Sequence, residues 1–195
     1  MRFWTSDTHF GHANVMGYCN RPFKDVWHMN EVLKAKWNES VGTSDEVWFV
    51  GDFSMNQGFL RILNELNFGH LFWILGNHDK ETRIKRELEG GSLYNLSSKI
   101  HLIREAEITI EGQQFKVIHR PMDCSDDIPS IVGHVHERWT FLPAGSLIKE
   151  HSRRTNGIIE KIIKQPILNV GVDVHNFKPI SDEEVFKYFK TGEKV

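Results

Sequence analysis

Three short apolar runs in the first half of this chain all stop on the same kind of residue. Residues 2–6 run into Asp7-Thr8-His9, residues 46–50 into Gly51-Asp52, and residues 71–75 into Gly76-Asn77-His78-Asp79. Runs this short are strand-sized. Between them the apolar period changes. Val26, Met29, Leu33, Trp37 and Val41 recur at steps of three and four, which puts them on one helical face. Leu60, Leu63 and Leu66, with Phe59, repeat similarly over 57–67, and 80–90 is a charged helix candidate with a glycine stop. The first half therefore reads β-α-β-α-β-α, a layered α/β arrangement. In such sheets the carboxyl ends of the strands line one edge, and ligands bind there.

The second half is richer in strands. Residues 102–110 and 114–119 flank Glu111-Gly112, a hairpin signal. Residues 130–132 and 167–172 add two more strands, and a last helix is expected over 182–190, with Ser181 as N-cap and Glu184 completing a capping box. His119 ends one of these strands, and Gly133-His134-Val135-His136 follows another. Five strand ends thus deliver Asp7, His9, Asp52, Asn77, His119, His134 and His136 to one rim. Residues i and i+2 of a strand share a face, so Asp7 with His9 and His134 with His136 can each aim at one point.

Seven such groups exceed the four ligands of a zinc ion. They suit two cations sharing a carboxylate, and mixed imidazole and oxygen donors favour Mn, Fe, Zn, Co or Ni. A lone Asp-x-His is a weak signal, since Asp173-Val174-His175 repeats it. A specified tetrapeptide such as Gly-Asn-His-Asp arises by chance in roughly one chain in a thousand of this size. The ordered set, not any single motif, carries the metal-site reading.

Composition narrows the classes. With 24 basic and 26 acidic residues the net charge is −2, so the chain is no polycation built to coat nucleic acid. A chain 39% hydrophobic and 26% charged is not disordered. Two cysteines, Cys19 and Cys124, cannot build a disulfide framework, and a cytoplasmic chain is expected. No apolar run is long enough to span a membrane, and the first residues lack a signal-peptide core. A length of 195 residues fits one domain, 1–195. One stretch breaks the rhythm: 144–165 is polar, with Lys149, Arg153, Arg154, Lys161 and Lys164 against Glu150 and Glu160. It is expected as an inserted loop or hairpin on the edge that shapes access or assembly and takes no part in chemistry.

Together these motifs resemble, in order, those of the calcineurin-like metallophosphoesterase superfamily. The resemblance covers residues 7–136, with Asn169-Val170-Gly171-Val172-Asp173 beyond. The opening Asp7-Thr8-His9-Phe10-Gly11-His12-Ala13-Asn14, followed by Arg21-Pro22-Phe23, is similar to a narrower group of small bacterial and phage phosphoesterases. The resemblance implies a four-layer α/β/β/α sandwich holding two divalent transition-metal ions, manganese favoured. It implies Asp7, His9 and His136 on one ion, Asn77, His119 and His134 on the other, and Asp52 bridging both. His78 would face the substrate phosphate, stabilising the transition state or protonating the leaving oxygen.

The implied activity is hydrolysis of a small phosphorylated molecule, a nucleotide-type phosphodiester ahead of a monoester, by attack of a hydroxide bridging the metals. The Asp-Arg pair of the Ser/Thr phosphatase branch is missing after Gly51-Asp52. Two alternatives stand beside this one. The basic stretch at 149–164 could track a nucleic-acid backbone, as in a nuclease, and some members of the superfamily are protein-binding scaffolds with idle sites. Near the rim, Arg21 and Arg120 are candidate phosphate clamps, and His12 and Asn14 candidate substrate contacts. Asp79 is expected to orient an imidazole or to cap a helix, and Asp173 and His175 to back the ligands.

Overall fold

The computed structural model describes residues 1–152 and 156–192, so Arg153 and Arg154 of the basic stretch lie outside the described residues. In chain order the elements are β1 (Arg2–Thr5), α1 (Ala13–Tyr18), α2 (Val26–Ser40), β2 (Glu46–Phe49), β3 (His70–Ile74), α3 (Glu81–Gly90), β4 (Ile100–Ile103), β5 (Glu105–Ile110), β6 (Gln113–Ile118) and β7 (Ser130–Val132). Then come β8 (Phe141–Leu142), β9 (Leu147–Ser152), β10 (Gly157–Ile162), β11 (Ile167–Asn169), β12 (Ile180–Ser181) and α4 (Asp182–Thr191). No helix among the described residues is long and apolar enough to cross a membrane.

The strands form two five-stranded sheets. The first has the order β12-β1-β2-β3-β4, parallel apart from the antiparallel edge strand β12. The second has the order β5-β6-β7-β11-β8 and is mixed. Period-2 alternation sorts the first sheet's side chains onto two cores. Phe3, Val47, Leu71 and Ile100 lie in register and face the helices, packing with Met29, Leu33 and Trp37 of α2 and Ile84 and Leu88 of α3. Trp4 and Trp48 face the other way, toward Phe115, Val117, Ile131 and Leu168 of the second sheet. Their rings stack at 5.5 Å, and Trp48 stacks on Phe72 at 4.8 Å. Burial of each such side chain contributes roughly 1.5–3 kcal/mol. Helix α4 closes one end of this inter-sheet core through Val185, Tyr188 and Phe189.

The second sheet's outer face packs a smaller cluster, Ile167 and Leu142 against Ile148 of β9. Among the described residues the antiparallel hairpin β9–β10 occupies that side. Within the segment expected as a loop or hairpin, the described residues 147–152 and 157–162 pair as these two strands.

Two further elements depart from expectation. The strand expected over 102–110 is split at Arg104: β4 pairs in the first sheet and β5 in the second. The chain changes sheets across one residue, whose guanidinium lies 2.6 Å from Glu81 Oε2. Residues Gln57–Glu65 form a 3-10 helix rather than an α-helix, with Asn56 Oδ1 accepting from Gly58 N at 3.0 Å. The spacing of Leu60, Leu63 and Leu66 is three throughout, which matches the three residues per turn of that helix. The capping box of α4 is present as expected, with both reciprocal hydrogen bonds between Ser181 and Glu184.

Candidate metal centre

The parallel strands β1, β2 and β3 end side by side, and the loops after them are stitched together. Asp7 N donates to Gly51 O, His9 N to Asp52 O and Phe10 N to Phe53 O, at 2.9, 3.1 and 2.8 Å. The loops after β6 and β7 of the second sheet meet them: His134 N donates to Asp7 Oδ2 at 2.9 Å, and Ser6 Oγ donates to the same oxygen. Close approach here requires glycine. A Cβ on Gly133 would lie 2.6 Å from Ser6 Oγ and 2.7 Å from Asp7 Oδ2.

The backbone at this junction is held in an unusual conformation. Ten non-glycine residues among those described have positive φ, and five of them are Asp7, His9, Asp52, His134 and His136. Left-handed backbone at such residues costs roughly 1–3 kcal/mol each and persists where surrounding structure enforces it.

The side chains gather into two groups. One ligand atom each from Asp7, His9 and His136 lies within 4.8 Å of the others, and the same holds for Asp52, His119 and His134. Asp52 stands between them: its Oδ2 is 3.8 Å from His9 Nε2 and 3.4 Å from His119 Nε2. Asn77 Oδ1 is 3.1 Å from His119 Nε2. His78 Nε2 is 4.0 Å from Asp52 Oδ2, and its backbone N–H donates to Asp52 Oδ1 at 2.8 Å.

The donor atoms fit cations. Asp7 Oδ1 and both ring nitrogens of His9 are buried without a hydrogen-bond partner, and a buried polar atom left so costs about 1–3 kcal/mol. Three imidazoles each commit one nitrogen elsewhere. His119 Nδ1 meets Val50 O at 2.7 Å, His136 Nδ1 meets Asp173 Oδ2 at 2.9 Å, and His134 Nε2 meets Glu150 Oε1 at 3.1 Å. That is how metal-ligating histidines are usually oriented, through the nitrogen that does not bind the ion.

Protonation follows from these neighbours. Burial pushes the pKa values of His9 and His134 down, so both are neutral and able to ligate. Burial also opposes charge on His119 and His136. There the Asp52 hydrogen bond overrides it, lifting His119 to about 9, and the Asp173 hydrogen bond lifts His136 to about 10. A cation must displace those protons, so protons and metals compete for the same nitrogens.

Several expected roles change. Arg21 is no phosphate clamp: its side chain is fully buried, Nε and Nη2 grip Asp173 at 2.7 and 2.9 Å, and Nη2 and Nη1 donate to Asp7 O and Thr8 O. It braces the first metal loop. Asp79 does not cap α3, whose N-cap is Lys80. Its carboxylate accepts from the backbone of Asp52, Phe53 and Gly76 and from Trp73 Nε1, which fixes the loop presenting Asp52. Asp173 does back His136. His175 acts one step further out, meeting the carbonyl of Asn169, whose amide donates to His136 O. His12 lies beside His9, ring centroids 5.6 Å apart, and Asn14 is exposed on α1.

Two residues escaped the sequence reading. Cys19 lies with His136 and Asp173 in a third cluster of donor atoms. Glu150 of β9 holds His134 and also accepts from Arg120 Nη2 at 2.5 Å. The hairpin, expected to shape access or assembly and take no part in chemistry, therefore reaches the site through Glu150. No motif could announce it, because Glu150 belongs to an alternating polar strand like any surface hairpin.

Among known proteins, no family model matches the chain. MJ1445, an uncharacterized protein of Methanocaldococcus jannaschii, is 32% identical over 194 residues, spanning 97% of this chain and 92% of its own. The gene 66 protein of Mycobacterium phage L5 is 24% identical over 194 residues, spanning 94% and 91%. The solved structure of AQ665, a protein of unknown function from Aquifex aeolicus, superimposes with a TM-score of 0.63 at 22% identity, covering 96% of this chain and 98% of that one.

Proposed function

This chain belongs to the family of MJ1445, and we propose that it is a two-metal-dependent phosphoester hydrolase. The observation that carries the reading is the set of buried, unpartnered donor atoms on Asp7 and His9, beside two ligand clusters joined by Asp52. Asp7, His9 and His136 would hold one divalent transition-metal ion. Asn77, His119 and His134 would hold the other, and Asp52 would touch both. Manganese is the favoured metal. The two facing sheets fit a metallophosphoesterase-type sandwich in which the hairpin stands where a fourth layer would be. The whole chain is read as one domain, working in the cytoplasm.

Bound cations would supply Lewis-acid chemistry, offsetting charge on a phosphoryl group and acidifying water. The residues of the chain do the rest. Glu150 and Asp173 aim two imidazoles by holding their far nitrogens. His78, its side chain 31% exposed beside Asp52, offers a proton from Nε2 to the departing oxygen. Arg120, 40% exposed and next to His134 through Glu150, supports phosphate recognition.

A small phosphodiester of nucleotide type is the preferred substrate. A nuclease is less favoured because the described cations of the hairpin are paired: Lys149 with Glu160, and Lys161 and Lys164 with Asp126. A scaffold with an idle site is less favoured because every donor position is filled by a competent ligand. The test is hydrolysis of bis-p-nitrophenyl phosphate and p-nitrophenyl phosphate, with metal analysis, before and after chelation. Two ions per chain and diester hydrolysis that chelation abolishes and Mn restores are expected. Hydrolysis unchanged by exhaustive chelation would overturn the reading.

A further inference from the structure

The loops that carry His119 and His134 do not end at the metal centre. They continue into Pro121-Met122 and Val135-Trp139, and the hairpin closes over them to leave a pocket of about 260 Å³. Its apolar walls include Met122, Trp139, Leu142 and Ile148, His134 and Glu150 are its part-buried polar groups, and the exposed Arg138 and Lys149 also line it. His134 and Glu150 belong to the centre as well, so whatever fills the pocket abuts the site of the second ion. The volume is below the roughly 300–1,000 Å³ of pockets for drug-sized ligands, which suits one ring system and not an extended molecule.

We propose that this pocket binds an aromatic ring of the phosphoester substrate, with its phosphate at the adjoining metal centre. The inference rests on the phosphoester-hydrolase reading and adds the substrate class to it. Two features select an aromatic group over a bare phosphate or a sugar. The walls offer apolar area and one indole, against which a ring packs offset or edge-on. Of the polar side chains that line it, Arg138 and Lys149 are exposed while His134 and Glu150 are part-buried, so a ligand polar along its length would leave hydrogen bonds unmade against the apolar walls. The hairpin is then the part of the chain that sets specificity. Without β9 the pocket loses Ile148 and Glu150 together.

The test uses the full chain loaded with Mn and two non-hydrolysable probes, phenylphosphonate and methylphosphonate, measured by calorimetry. Phenylphosphonate is expected to bind at least about tenfold tighter, because it alone can bury a ring. Trp139→Ala should shrink that ratio several-fold and Trp139→Phe should retain most of it, with melting temperatures checking that both variants fold. Equal affinities for the two probes, or a ratio untouched by Trp139→Ala in a folded protein, would overturn the pocket and leave the metal centre standing. If neither phosphonate binds to protein shown to carry its metals, the phosphoester reading fails and this one with it.

Discussion

Asp52 and His78 are neighbours that should fail in different ways. Asp52 lies between the two ligand clusters, within 3.8 Å of His9 and 3.4 Å of His119, so Asp52→Asn is expected to reduce metal content and rate together. His78 lies beside the site, its ring edge-on to that of His9 at 5.6 Å and outside both ligand clusters. His78→Gln should therefore keep fold and metals while the rate falls roughly 10²–10⁴, the span of a general acid. The loss should be smaller for p-nitrophenolate, which departs unprotonated, than for an alkoxide. Metal analysis with kinetics on an aryl and an alkyl ester decides it. A His78 variant lacking metal would make it a ligand. Single residues also mark where sequence reading stops. Arg21 and Arg120 look alike in the chain, yet one is buried against Asp173 and the other is near the surface. Side-chain type was legible there. Burial was not, because it depends on an aspartate some 150 positions away, Asp173.

At the scale of elements, strand ends were legible because each pairs an apolar run with a stop. The shared-face expectation for His134 and His136 was not met, because β7 stops at Val132, both residues have left-handed backbone, and they join different clusters. The split at Arg104 was not legible, since an alternating pattern reads the same whether or not the strand changes sheets. The hairpin shows the same limit. Its existence could be read, but its contact with His134 could not. Glu150→Ala is expected to weaken one metal site about 10–100-fold, the usual effect of losing an outer carboxylate, and to spare the other. Isothermal titration with Mn, before and after the substitution, should resolve the two. Two sites weakened equally would point to general disruption instead. Replacing the hairpin with a short linker should impose the same metal defect. Helix α4 offers a control remote from chemistry. Ser181→Ala removes the capping box and should cost about 1 kcal/mol, lowering the melting temperature by roughly 2–4 °C while metal content stays unchanged.

Across the whole molecule, the ligands are divided between the sheets. Asp7, Asp52 and Asn77 follow strands of the first, and His119, His134 and His136 follow strands of the second. Asp7 and His136 are well over a hundred positions apart, so neither cluster exists until both sheets have formed and docked. Closing such loops is entropically costly and comes late. The one-residue joint at Arg104 pins the sheets at one edge and leaves the rim to be completed by docking alone. On the proposed reading, bound metals would be a clasp fastened after folding rather than a template for it. Interactions absent from the folding transition state slow unfolding and leave the folding rate alone. Stopped-flow measurements with and without Mn should find refolding rates within about twofold of each other and unfolding slowed many-fold. Refolding accelerated as strongly as unfolding is retarded would put the rim in the nucleus. On the clasp account, a cell short of the metal would still make this fold at the normal pace but would lose it faster.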